Sequence, residues 1–500
     1  MTLKHWTILV PGALIACAVP AQAVDLRSAV QSALQSNPEI RQAVHNREAT
    51  MEELNQARGL WHPRVDLRAA AGVRELRNPS RRRIGLGDEL LKPVEGELVV
   101  DQLLVDAGGR SAEIRRQASR TDAAAARVEE RSEFVALNVA RNYIDYLLQQ
   151  RLVAISEDNV SFHERLAGDL RQGVQQGSIS IADQQQAEER LQSARARVTE
   201  AREDLETAAI AFQTLTGLPI DSVSVPPDLT GQVPQTLAQA EAAARDNNPR
   251  VQEAVADLSS AREVVRSARS DVGPRLNAEG RARIGNDIDG FAGNTRDLQA
   301  NLTVRWTLTN GGIKEANVRE QQRRADEAHA RLFQTQRQAE DDARSAWSRL
   351  QNQSRLVGEL ENQSRISDDL LLSYREQFNV GRRSLLDVLD AQNTRQNVQA
   401  QAETARMSRL YAQYRVLAAS NRLIEALGVQ MPRDAFSDLR GRYNVRPVPA
   451  SDRQENSLRY PVMGPPADPQ DVGGTPRPVN GGEAPLTAAA AAPEPATAAQ

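Results

Sequence analysis

Two periods of hydrophobicity divide this chain. Over 275–308 the period is two. Leu276, Ala278, Gly280, Ala282 and Ile284 alternate with Asn277, Glu279, Arg281 and Arg283, and Leu298, Ala300, Leu302, Val304, Trp306 and Leu308 alternate with Gln299, Asn301, Thr303, Arg305 and Thr307. The stretch 64–105 behaves the same way. Val65, Leu67, Ala69, Ala71 and Val73 stand against Asp66, Arg68 and Arg74, and Val94 to Leu104 forms a fourth, less regular run. Alternation puts successive side chains on opposite faces of a strand, so each run has an apolar and a charged face. Each run is about ten residues long, the length that crosses a bilayer as a tilted strand. Strands of a soluble sandwich would alternate too, but only four such runs occur in 500 residues, in two hairpins far apart.

The rest of the pattern is helical. No proline lies between Pro93 and Pro219 or between Pro274 and Pro432. Leu191, Val198, Leu205 and Phe212 recur every seven residues, beside Ala187, Ala194, Ala201, Ala208 and Leu215. This is a coiled-coil heptad whose small residues allow close helix approach. From Gly312 to the turn at Gly381 the sequence predicts one helix about 100 Å long. Most other helical positions are polar, which a wide tube wet on both faces explains better than a solid coiled coil.

The pattern occurs twice. Leu26–Ile40 (LRSAVQSALQSNPEI) parallels Leu237–Val251 (LAQAEAAARDNNPRV), both carrying Asn-Pro. Pro63-Arg64-Val65 parallels Pro274-Arg275-Leu276, and Asp106-Ala107-Gly108 parallels Asn310-Gly311-Gly312. The segment from Gly177 to Asp183 parallels that from Gly381 to Asp387, and Leu215-Thr216-Gly217-Leu218 parallels Ala426-Leu427-Gly428-Val429. A period of about 200 residues means a duplicated domain, not a solenoid of small units. The domains expected are a first repeat over 24–230 with hairpin 64–105 and a second over 231–430 with hairpin 275–308. A Pro/Ala/Gly-rich, largely disordered tail is expected over 431–500.

Four strands cannot close a barrel, and an open edge is not tolerated in lipid. Three copies supply twelve strands, within the range of closed membrane barrels. The pattern therefore predicts a homotrimer in outer-membrane lipid.

Composition narrows the function classes. Only 4% of residues are aromatic and 40% are apolar, thin for a compact globule of this length. The 62 basic and 66 acidic residues are interspersed, so nucleic acid is not an expected partner. Residues 1–23 read as a signal peptide, with an apolar run from Ile8 to Val19 and cleavage after Ala23. A lipoprotein box ending at Cys17 is the alternative; helix-like sequence from Asp25 favours Ala23. The five histidines show no metal-ligand spacing, and no nucleophile motif joins the Ser, His and acidic residues, so neither cofactor nor catalysis is expected.

Tyr374 to Asn393, YREQFNVGRRSLLDVLDAQN, with GSISIADQQQAEERL from Gly177, NPEI and the Tyr143–Leu147 stretch, resembles the TolC family of outer-membrane factors. The resemblance covers roughly residues 25–430. It implies a mainly α fold: a trimeric twelve-stranded transmembrane β-barrel on a long α-helical coiled-coil periplasmic tunnel. The implied partners are a periplasmic adaptor and an inner-membrane transporter. Asp387 and Asp390, spaced i, i+3, share a helical face, and threefold symmetry would make them a ring of six carboxylates. The resemblance makes them the pore constriction. Asp183 and Arg383 match residues of the latch that closes the tip, with Phe378 where the family often has tyrosine. The expected function is an outer-membrane export channel. The GRRSLLDVLDAQN form points to type I protein secretion with an ABC transporter. Multidrug efflux with a resistance-nodulation-division pump is the alternative, and a non-conducting envelope scaffold is a third reading.

Overall fold

In the computed structural model, residues 24–85, 90–220 and 223–453 are described. The expected signal segment, with Ala23 and Cys17, and residues 454–500 of the expected tail lie outside the described residues. The first half runs α1 (Leu26–Ser36), α2 (Pro38–Gly59), β1 (Arg64–Ala71), β2 (Arg74–Glu75), α3 (Pro79–Arg83), β3 (Leu90–Leu91), β4 (Val94–Val105), α4 (Gly109–Gln175) and α5 (Ile181–Thr216). The second runs α6 (Leu237–Asn247), α7 (Pro249–Ser270), β5 (Arg275–Asn286), β6 (Asn294–Arg305), α8 (Ile313–Asn379) and α9 (Leu385–Ala419), followed by α10 (Leu423–Ala426) and α11 (Leu439–Arg442).

The Asn-Pro pairs explain why α2 and α7 start where they do. Asn37 Oδ1 accepts from Glu39 N–H at 2.8 Å, and Asn248 Oδ1 accepts from Arg250 N–H at 3.0 Å. Each following proline takes the first helical position, where it has no donor to lose. With no proline inside them, α4 and α8 each run for 67 residues, about 100 Å. The heptad of α5 is its buried seam: Ala187, Leu191, Ala194, Val198, Ala208 and Phe212 all lie inside. The largest apolar cluster lies where α1, α4, α5 and α9 meet, around Leu26, Val30, Tyr143, Phe212, Tyr414 and Leu417. The Tyr143 hydroxyl sits 2.7 Å from the carbonyls of Val24 and Ser224, and so ties the chain's early segment to α4.

The two hairpins join in one antiparallel sheet, in the order β1-β4-β5-β6. Leu67, Leu98, Ala282 and Leu298 form a row straight across it, and the next row on the other face is Arg68, Glu97, Arg283 and Asp297. Alternating signs pair across the strands: Arg68–Glu97 at 3.4 Å, Arg281–Glu97 at 3.3 Å and Arg283–Glu95 at 2.8 Å. The apolar face stays open in the single chain, with Leu67 80% and Leu298 85% exposed. The irregularity of the fourth run is a register shift between Leu103 and Val105. β6 ends at Arg305, short of the expected 308, because Trp306 turns to donate its ring N–H to the Val272 carbonyl at 3.1 Å. No described helix is long and apolar enough to cross a membrane.

The expected tail begins too early. Residues 431–453 pack along the helices instead of standing free. The buried Asp122 carboxylate accepts from Ser437 Oγ at 2.5 Å, Leu439 N–H at 3.0 Å and both the backbone N–H and Nε of Arg440 at 3.0 Å. Val448 joins the cluster of Val251, Leu258 and Leu332. A buried carboxylate with four donors organises a segment whose composition alone reads as loop.

One buried acid couples the fold to pH. Glu133 on α4 accepts from Ile424 N–H at 3.2 Å at the start of α10. Burial, with the charge of Glu129 adding to it, pushes its carboxyl from 4.5 up to about 8. The folded chain therefore binds this proton more tightly than the unfolded chain. Its stabilising contribution is complete below about 4.5 and is lost as pH rises through about 8. The melting temperature is expected to fall by at least about 2 °C between pH 6 and pH 9. In Glu133→Gln, which keeps a carbonyl acceptor for Ile424, that slope should flatten. Equal slopes for the two proteins in scanning calorimetry would remove Glu133 from this role.

Candidate functional site

The expected site residues gather where the long helices reverse. Gly177 (φ +74°) and Gly381 (φ +72°) take left-handed backbone that a side chain would strain. These two residues let Ser178 N–H return to Gly173 O at 2.9 Å and Arg382 N–H to Gln377 O at 2.8 Å. A serine then caps each returning helix. Ser180 Oγ accepts from Asp183 N–H at 3.1 Å, and Ser384 Oγ accepts from Asp387 N–H at 3.3 Å. Each hydroxyl donates back to its aspartate at 2.8 Å.

Asp183 and Asp387, expected as latch and pore residues, thus hold the same place in their own helices. The Ser384 hydrogen bonds, with the Arg383 charge 3.7 Å away, keep the Asp387 carboxyl below the usual range. Arg383 is engaged within its own hairpin: its guanidinium lies 4.2 Å from the centre of the Tyr374 ring and Nε donates to Gln377 at 3.1 Å. No hydrogen bond or ion pair joins Arg383 to Asp183 among the described residues. Phe378 packs against two apolar clusters, one with Leu170, Leu385 and Leu389 and the other with Phe162 and Val388. Its half-buried ring fills space between them.

Asp390, one turn beyond Asp387, is exposed and has no hydrogen bond or ion pair among the described residues. It lines a crevice of about 60 Å³ between α4, α5 and α9, together with His163, Arg190, Arg197, Asn393 and Gln396. Behind it lies a buried polar layer that sequence reading missed. Gln392 is fully buried and donates to Asn159 Oδ1 at 2.8 Å. His163, 6% exposed, meets Phe162 edge-on, and its Nδ1 has no partner. Burial first, then the charges of Arg190 and Arg197, holds this imidazole below its usual range. The available signal was polar residues at i, i+4 on both helices: Asn159 and His163, Gln392 and Gln396. A pair of acids beside a crevice with two guanidiniums can steer ions; it assembles no nucleophile with a base.

Residues 29–218 and 242–429 match the outer membrane efflux protein family. The outer membrane efflux protein BepC of Brucella suis is 25% identical over 293 residues, 58% of this chain; the chain spans 64% of the length of that relative. The outer membrane protein TolC of Escherichia coli is 22% identical over 451 residues, 87% of this chain and 88% of its own. Among solved structures, the Campylobacter jejuni CmeC outer membrane channel superposes with a TM-score of 0.69 at 18% identity, over 80% of this chain and 86% of that one, a likeness of fold.

The cap has its own test. Ser384→Ala removes the acceptor for Asp387 N–H and the main cause of that carboxyl's lowered pKa. The first turn of α9 should lose about 1 kcal/mol, or about fivefold in amide protection by hydrogen exchange, with the Asp387 carboxyl rising toward its ordinary value. Unchanged protection would show that the cap does not hold the turn.

Proposed function

This chain belongs to the outer membrane efflux protein family, and from that premise we propose that three copies close a twelve-stranded barrel over a helical tunnel and export cargo across the outer membrane. The observation that carries this reading is the four-stranded sheet. Its outer strands β1 and β6 each leave one edge unpaired among the described residues, one face is apolar and open, and the other carries paired charges. Lipid outside, water inside and a neighbouring copy at each edge answer all three features. The parallel order of elements in the two halves supports a duplication with repeats over 24–230 and 231–430. Export with cleavage after Ala23 is part of the proposal.

The proposed partners are a periplasmic adaptor and an inner-membrane transporter. Type I protein secretion with an ABC transporter is the leading assignment, supported by the form of residues 381–393. Multidrug efflux is the second assignment; the relative BepC is an outer membrane efflux protein. Crosslinking in the envelope followed by identification of the copurified transporter separates them.

Asp387 and Asp390 are proposed as the acidic constriction, and Asp183, Arg383 and Phe378 as the latch. Planar-bilayer recording tests both. Wild type should conduct and prefer cations, where an envelope scaffold would pass no current. Asp387→Asn with Asp390→Asn should lower the cation-to-anion permeability ratio by at least about twofold and weaken block by multivalent cations from the tip side. Arg383→Ala should instead raise conductance while cation preference persists. Wild-type selectivity and block in the double mutant would return the two acids to the status of a solvated helix face.

A further inference from the structure

The two tip acids stand in different electrostatic settings. Asp387 is held by Ser384 and lies 3.7 Å from Arg383. Asp390 has no such partner among the described residues, yet it lines the same narrow crevice as two guanidinium groups of α5. All three charged groups also meet solvent, so the coupling between them acts within a Debye length of about 8 Å.

We propose that Arg190 and Arg197 are the counter-charges of Asp390: they set how much of its negative potential reaches the conduit, and so the strength of its ion preference. The inference rests on the pore reading above. Three features of the structure support it. Arg197 is aimed across the crevice at α9, with Nη1 3.3 Å from Gln396 Oε1 and 3.5 Å from Asn393 Oδ1. Among the described residues Arg190 pairs only with its exposed neighbour Glu189 at 3.5 Å, a pairing that surface water weakens. On the α4 wall, the buried His163 ring is held below its ordinary range first by burial and then by the charges of both guanidiniums, whose field therefore reaches the crevice. In a trimer, each copy would set two arginines against its acids, and the pore would respond to the difference. The arginines are thus specificity-determining residues for ion passage, without contact with cargo.

Bilayer recording of the full-length mature trimer tests this with charge and geometry separated. Arg190→Gln with Arg197→Gln should raise the cation-to-anion permeability ratio by about twofold, and hexaamminecobalt should block at about fivefold lower concentration. Arg190→Lys with Arg197→Lys keeps the charges but loses the guanidinium bonds to Asn393 and Gln396, and it should stay near wild type. Adding Asp390→Asn to the Gln pair should cancel the increase. If the Lys pair shifts selectivity as much as the Gln pair, the arginines act as struts and the proposal is overturned. It is equally overturned, with the acidic ring still standing, if the Gln pair leaves selectivity unchanged while the Asp387/Asp390 double mutant alters it. If that double mutant has no effect, both readings fall together.

Discussion

A strand in lipid has no water to satisfy the hydrogen bonds along its edge. That constraint governs the rest of this molecule. The sheet β1-β4-β5-β6 satisfies every internal ladder but leaves a row of backbone donors and acceptors on β1 and another on β6. It also leaves Leu67, Leu298 and Leu302 open on one face. A soluble protein would cover such a face with helices, yet here all the long helices are engaged with one another. α4 packs mainly against α5, α7, α2 and α9, and α8 mainly against α9, α7 and α6. In the trimer proposed above, neighbouring copies would complete the sheet, and the assembly's symmetry would in turn decide what a residue at the tip can do.

The periodic features were legible in the sequence because one force dominates each of them. Alternation of apolar and charged residues specified the strands, the seven-residue recurrence specified the α5 seam, and Asn-Pro and Gly pairs marked helix starts and reversals. Less legible was whatever depends on partners distant in the chain. Nothing local announces that β4 pairs with β5 across a separation of well over a hundred residues, with Leu98 against Ala282 and Glu97 against Arg283. Nor does the composition of 431–453 reveal that Asp122 collects four donors from it. The tail looked free because the residue that orders it lies in the first half of the chain.

The candidate site was legible in its residues and not in their duties. The spacing of Asp387 and Asp390 suggested one face and one role. The structure gives Asp387 a capping box, which would hold it in place whatever the pore requires, and gives Asp390 a crevice. The polar layer of Asn159, His163, Gln392 and Gln396 was invisible because such residues read as surface unless their burial is known. Two of its atoms, His163 Nδ1 and Gln392 Oε1, are buried without a partner. An interface with spare hydrogen-bonding capacity costs stability, and it also leaves α9 less firmly fixed to α4 than the apolar clusters on either side would.

The two tip turns share a backbone form and differ in their charges. Matching the tip turns residue for residue, Ser180 and Asp183 correspond to Ser384 and Asp387, and both pairs make the same bonds. Their neighbours diverge. Where the second half has Arg383, the first has Ile179, which packs into the apolar cluster of Leu170 and Leu191. Where the second has Asp390, the first has Gln186. In the other direction, Arg190 and Arg197 of α5 correspond to Thr394 and Gln401 of α9. The acid without a local partner, Asp390, is therefore in one half and the arginines that share its crevice are in the other. A turn that only needs to reverse the chain gains nothing from this division, since Ser-cap chemistry and a left-handed glycine achieve reversal in both halves. Charge placed on one of two matching turns, and its opposite on the helix packed beside it, fits the proposed conduit, in which one half would present a field that the other moderates.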